Sequence, residues 1–292
     1  MKDVIVLYKN LGETPRECLE RFKKTLAETG ATEAQEYATR PMTYAGRLDP
    51  MAEGLLLVLS GEAIVKKETY TSLPKTYEFE ILWGARTDTS DILGLVETEQ
   101  PVKALEKSLY HLSQTVFETA PAFPDIDVLK KKSEKLAGEF EQKYPAYSSR
   151  TVPGLDEHGK RVTRSLIEWA RLGKISEIEI PSHIVEIFST EHVSRRFVAG
   201  AELLVDIEKR VALVRGDFRQ EKIVGGWRVL LSSQPEKQFA LDTMRVDVSG
   251  GFYIRQFVED LARAFHTTAT TYHITRTRIG DFNNPTDFTN LH

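Results

Sequence analysis

The chain has 292 residues, 41% of them hydrophobic and 28% charged, with a net charge of −4. That composition is ordinary for a globular protein and excludes a low-complexity or wholly disordered chain. Its one cysteine, Cys18, excludes an intrachain disulfide, and its longest apolar run, residues 55–59, is far too short to cross a bilayer.

Residues 3–8 predict a buried strand. Thr14, Pro15 and Glu17 follow as N-cap, first helical residue and capping-box partner. They open a helix to about Glu28, with Cys18, Leu19, Phe22 and Leu26 at helical spacing. Residues 30–50 read as a loop. Residues 55–59 predict a strand, and residues 76–83 alternate as another. Residues 101–113 predict a helix. The stretch 118–163, rich in Pro, Lys, Asp and Gly, reads as loops between short elements. Residues 165–172 predict a short helix. Strand-like runs then occur at 183–190, 201–208, 227–233 and 239–248. Ile254, Phe257, Val258, Leu261 and Phe265 place one apolar stripe on a final helix, and residues 272–278 close as a strand. The mixture predicts an α+β fold with a large mixed, mostly antiparallel sheet flanked by helices.

The N-terminal residues lack the apolar stretch and small-residue cleavage site of a signal peptide, so a cytoplasmic location is expected. The seven histidines and single cysteine form no spaced ligand set, so no metal site is expected. The acidic balance argues mildly against a nucleic-acid partner, because phosphate contacts draw on Lys and Arg. A basic face on an acidic chain would remove that conflict.

The most informative segment is Gly46-Arg47-Leu48-Asp49-Pro50-Met51-Ala52-Glu53-Gly54-Leu55-Leu56-Leu57. Pro50 fixes its own backbone and pushes Asp49 toward an extended conformation, while Gly46 and Gly54 permit tight turns on either side. Such a loop presents one carboxylate rigidly. On spacing alone, Asp49 is better read as an ordinary turn residue before proline.

That segment resembles the carboxylate motif of TruB-family pseudouridine synthases, G-x-L-D-P-x-A-x-G-L-L. Other pseudouridine synthase families carry a related G-R-L-D, to which Arg47 leans. Further matches follow in the family's order. Lys9 to Thr14 is similar to K-P-x-G-x-T, with Asn10 at the proline. Gly61-Glu62-Ala63 resembles the start of G-x-A-T-K, and Lys75-Thr76-Tyr77 matches K-x-Y. Gly84, Thr87, Thr89, Asp91 and Gly94 match G-x-x-T-x-T-x-D-x-x-G. Residues 142–149 resemble Q-x-P-P-x-Y-S-A, residues 249–255 resemble S-K-G-T-Y-I-R, and Arg276-Thr277-Arg278 resembles the closing L-R-R-T-R. Each match is weak alone; the ordered set is specific.

The resemblance implies isomerisation of uridine to pseudouridine without a cofactor. It assigns the catalytic carboxylate to Asp49, as nucleophile or as the base that starts a glycal route. It makes Arg255 the cation beside Asp49, in a geometry where a bidentate guanidinium would fix the carboxylate. It places Tyr77 against the extruded base, Tyr147 among the substrate-binding residues, and Ile274 as an apolar wall. Tyr44 stands where the family often carries a histidine. The substrate implied is tRNA, at uridine 55 of the TΨC loop. Alternatives are rRNA or guide-dependent modification, or a non-catalytic tRNA chaperone. The expected organisation is one catalytic domain over residues 1–292, with inserts near 118–163 and 196–238. No C-terminal RNA-binding (PUA) domain is recognised. A monomer with no evident protein partner is expected.

Overall fold

The computed structural model describes residues 3–29, 32–97 and 123–286. The helix predicted at 101–113 lies outside them. Among the described residues, eight strands form the main sheet. They are β1 (Val4–Lys9), β2 (Met42–Ala45), β3 (Ala52–Ser60), β4 (Lys75–Trp83), β5 (Gly138–Lys143), β8 (Ser182–Ala199), β9 (Gln238–Val248) and β10 (Ala269–Ile279). A separate hairpin joins β6 (Thr151–Leu155) to β7 (Arg161–Ser165). The sheet order is β1-β3-β10-β4-β9-β8-β5, with β2 alongside β3. Every pairing is antiparallel except β10 with β3, which is parallel over only three residue pairs. The predicted mixed, mostly antiparallel sheet is therefore present.

The helices are α1 (Pro15–Thr29), α2 (Thr32–Thr39), α3 (Lys67–Ser72), α4 (Ile126–Ser133), α5 (Leu166–Arg171), α6 (Gly200–Ala212), α7 (Gln220–Ser232) and α8 (Ile254–Ala264). Alternation along β4 decides how two of the layers meet. Tyr77, Phe79, Ile81 and Trp83 face α8, whose Phe257, Val258 and Leu261 are fully buried against them. Phe79 meets Phe257 edge to face at 6.1 Å. Leu82 faces the other way, into a second core made with α6 and α7. The capping box at the start of α1 forms as read: Thr14 N–H donates to Glu17 Oε2 at 2.7 Å, and Glu17 N–H donates to Thr14 Oγ1 at 3.2 Å.

Three readings need correction. Residues 30–50 are not a loop, since they contain α2 and β2. Of α2's described side chains only Tyr37 is buried, too little apolar patterning to read as a helix; β2 exists because it pairs with β3. The runs at 201–208 and 227–233 are helical, not strand-like. Leu203, Ile207 and Val211, then Ile223, Trp227 and Leu231, are each four residues apart and buried. The seven- and eight-residue apolar runs hold only part of each nine-residue stripe. The described part of 118–163 holds short elements between loops, as read: α4, β5, which completes the main sheet, and the β6–β7 hairpin.

Candidate active site

The Asp49 loop runs from β2 into β3 and is pinned from several sides. Ala52 N–H donates to Asp49 O at 3.0 Å, closing the turn, and Gly12 N–H donates to Pro50 O at 2.8 Å. Arg276, 1% exposed, donates Nε to Leu55 O at 2.8 Å, Nη1 to Arg47 O at 3.3 Å and Nη2 to Gly46 O at 3.2 Å. Gly54 has φ +107°, and a Cβ there would lie 2.3 Å from Arg276 O. Glycine is thus required where β3 meets β10. Arg276 and Gly54 make this loop one rigid body with the last strand.

Asp49 presents a half-exposed side chain, while Arg255 at the start of α8 is 4% exposed. Arg255 Nε donates to Asp49 Oδ2 at 2.7 Å. The expected bidentate pair is not formed. Nη1 donates instead to Thr89 O at 2.8 Å and Nη2 to Tyr147 O at 3.1 Å. Two backbone carbonyls therefore aim the guanidinium, leaving one carboxylate oxygen of Asp49 free of it. A second carboxylate, Asp91, lies 3.7 Å from Arg255 Nε. Asp91 accepts from Thr89 Oγ1 at 2.7 Å and from Leu93 N–H at 3.0 Å.

Burial pushes the Asp91 carboxyl up to about 6, against the opposing pull of Arg255. A carboxyl with a raised folded pKa binds its proton more tightly folded than unfolded. Its contribution to stability is thus full below the unfolded pKa near 4 and is lost as pH rises through about 6. Unfolding free energies by urea titration should show this. The wild-type value minus that of Asp91→Asn should fall by roughly 3 kcal/mol between about pH 4 and pH 7. Parallel pH profiles for the two proteins would contradict it.

All six residues singled out from sequence, Tyr44, Asp49, Tyr77, Tyr147, Arg255 and Ile274, line a single cleft of about 430 Å³. Tyr77 from β4 and Ile274 from β10 are buried in its floor. Tyr44 stands on β2, with Lys67 Nζ 5.7 Å from its ring centre. Tyr147 donates its hydroxyl to Asp88 Oδ2 at 2.8 Å. Burial and Asp88 raise that phenol's pKa, so it stays a donor.

Sequence reasoning missed the roles of Arg276, Lys75 and Asp91. Each sits in a quoted motif, but only burial marks what it does. Lys75 donates Nζ to the carbonyls of Thr71 and Leu73 at the end of α3, and burial lowers its pKa to about 8. The charge conflict is resolved locally. Among the described residues, the cleft is lined by five cations, Arg47, Lys67, Lys75, Arg255 and Arg276, and by one carboxylate, Asp49. Such a cleft can hold a polyanion while presenting a single oriented carboxylate and aromatic rings beside it.

Residues 35–211, more than half of the chain, match the family described as TruB family pseudouridylate synthase (N terminal domain). The chain belongs to the TruB family of pseudouridylate synthases. Among TruB relatives, tRNA pseudouridine synthase B of Nostoc sp. is 27% identical over 97% of this chain and 69% of its own length. The protein of the same name from Caldicellulosiruptor saccharolyticus is 26% identical over 97% of this chain and 69% of its own length. In a solved Cbf5-Nop10-Gar1 complex, one chain is 16% identical with a TM-score of 0.48, covering 96% of this chain and 49% of that one. Among the described residues of this TruB protein, no helix is long and apolar enough to cross a membrane.

Proposed function

We propose that this protein converts uridine to pseudouridine in tRNA, at uridine 55 of the TΨC loop. One observation carries the reading: Asp49 is held by Arg255 in a cleft where, among the described residues, cations outnumber carboxylates five to one. The reading further takes the protein to act as a monomer in the cytoplasm, without a protein partner.

The isomerisation balances without a redox group. The C1′–N1 bond breaks, the base turns, a C1′–C5 bond forms, the proton on C5 leaves to solvent and N1 takes one up. Asp49 starts the reaction, either by attacking C1′ or by removing a ribose proton. Arg255 holds it in orientation, leaving one oxygen for the sugar. Reaching a stacked uridine costs a few kcal/mol of unstacking. Stacking on the rings of Tyr77 and Tyr44 returns about 1–3 kcal/mol per base. Ile274 keeps water from one side of the base and so strengthens the Arg255–Asp49 attraction.

The test is tritium release from tRNA labelled as [5-³H]uridine, followed by mapping of the modified position. Release with pseudouridine at position 55 is expected. No release from any tRNA would overturn the reading. Release at another position would keep the chemistry and overturn the site. Salt-sensitive tRNA binding without release would indicate a chaperone instead.

A further inference from the structure

The hairpin of α6 and α7, inserted between β8 and β9, has no part in the chemistry just described. It is nonetheless firmly docked. Trp227 is fully buried and donates Nε1 to Ile92 O at 3.1 Å, tying α7 to the 84–96 loop. At the tip of the hairpin, the residue before α7 is Arg219, with φ +65°. Arginine rarely adopts this left-handed backbone, and glycine or asparagine would sit there more easily. Strain of this kind persists when the surroundings hold the residue in place.

What holds Arg219 is a set of contacts beside the cleft. Its Nη1 donates to Asp88 Oδ2 at 2.7 Å and to Tyr147 Oη at 3.1 Å, and Nη2 reaches Asp88 Oδ1 at 3.4 Å. Its guanidinium lies over the Tyr147 ring, 4.9 Å from the centroid. Tyr147 in turn donates to Asp88. One cation therefore fastens two segments that are distant in sequence, at Asp88 and at Tyr147. These are the segments whose carbonyls, Thr89 O and Tyr147 O, aim Arg255 at Asp49. Tyr147 also forms part of the wall between the main cleft and a neighbouring cavity of about 480 Å³ that Phe218 and Arg219 help to line.

We propose that Arg219 is a positioning residue: it clamps the Asp88–Thr89 and Tyr147 segments together and so holds Arg255 in register with Asp49. The inserted hairpin serves to deliver it. This rests on the reading of Asp49 as the catalytic carboxylate. Arg219 touches no reacting atom; it acts through Tyr147 and Thr89.

Arg219→Gly tests this well, because glycine accepts the left-handed backbone and the side chain is lost without new strain. The melting temperature should stay within about 3 °C of wild type. Under single-turnover conditions, the rate on tRNA should fall roughly 10- to 100-fold, as expected for a small misplacement at the reacting centre. The Kd for tRNA should change less than about 3-fold, a difference below 1 kcal/mol. Guanidinium ion at tens of millimolar should restore part of the rate in Arg219→Gly and none in Asp49→Asn. A single-turnover rate close to wild type would overturn the proposal. So would a loss that appears mainly in tRNA affinity, or one that guanidinium does not relieve. Absence of tritium release by the wild-type protein would instead defeat the functional reading itself, so the two failures are distinguishable.

Discussion

Asp49→Asn should release no measurable tritium from [5-³H]uridine tRNA, a loss of at least about 10⁴-fold, while folding normally. The substitution is nearly isosteric. The amide oxygen can still accept from Arg255 Nε, and Ala52 N–H still closes the turn on the residue 49 carbonyl. Only the charge and the nucleophilic or basic oxygen disappear. Because the Asp49 side chain is 41% exposed, its ion pair with Arg255 is screened by water and adds little to stability. The thermal midpoint should therefore barely move, and tRNA binding by filter assay should persist. Residual turnover above about one percent of wild type would remove Asp49 from the role of essential carboxylate.

The second large effect belongs to Arg255, and it falls on stability as well as activity. Arg255→Met should cost roughly 3–5 kcal/mol of folding free energy, the range for removing one partner of a buried ionic cluster. Arg255 is 4% exposed and donates to two carbonyls as well as to Asp49. Methionine fills similar volume but leaves Thr89 O and Tyr147 O without their donor. It also strips Asp91 of its compensating charge, so Asp91 would be driven further toward its neutral form. A urea titration measures the loss, and a cost under about 1 kcal/mol would show that the cluster is not buried as described. Arg255→Lys keeps the charge but cannot reach three acceptors at once. It should recover much of the stability and little of the single-turnover rate.

How much of this was legible in the sequence depends on the range of the interaction. The alternation of β4 and the stripe of α8 are local periodicities, and they locate both elements closely. The Asp-Pro loop is local too, but its meaning is not. Asp49 and Arg255 stand 206 residues apart, so only the order of the motifs brought them together before the fold did. The helices α6 and α7 are hard to read because the apolar runs at 201–208 and 227–233 are each shorter than the nine-residue buried stripe they belong to. The strand β2 is four residues long and owes its existence to β3, which no local signal reveals. Arg276 shows the limit most plainly: nothing in a sequence separates an arginine that braces three carbonyls in the interior from one at the surface. Arg219 lies beyond that limit again, since its partner Asp88 is 131 residues earlier and its chain conformation is one that arginine does not favour.

The placement of β10 bears on how the protein is made. Among the described residues, β10 is the only bridge between two half-sheets, with β1, β2 and β3 on one side and β4, β9, β8 and β5 on the other. Of the strands described, it is also the last in chain order and so the last of them to leave the ribosome. Until residues 269–279 emerge, the nascent chain carries two unjoined sheets, each with an open apolar edge of the kind that invites mispairing. The floor of the cleft is incomplete at that stage, because Ile274 and Arg276 arrive with β10. Any chain that stops short of this strand would therefore be inert and prone to aggregate, and the enzyme's activity would report that synthesis had passed β10.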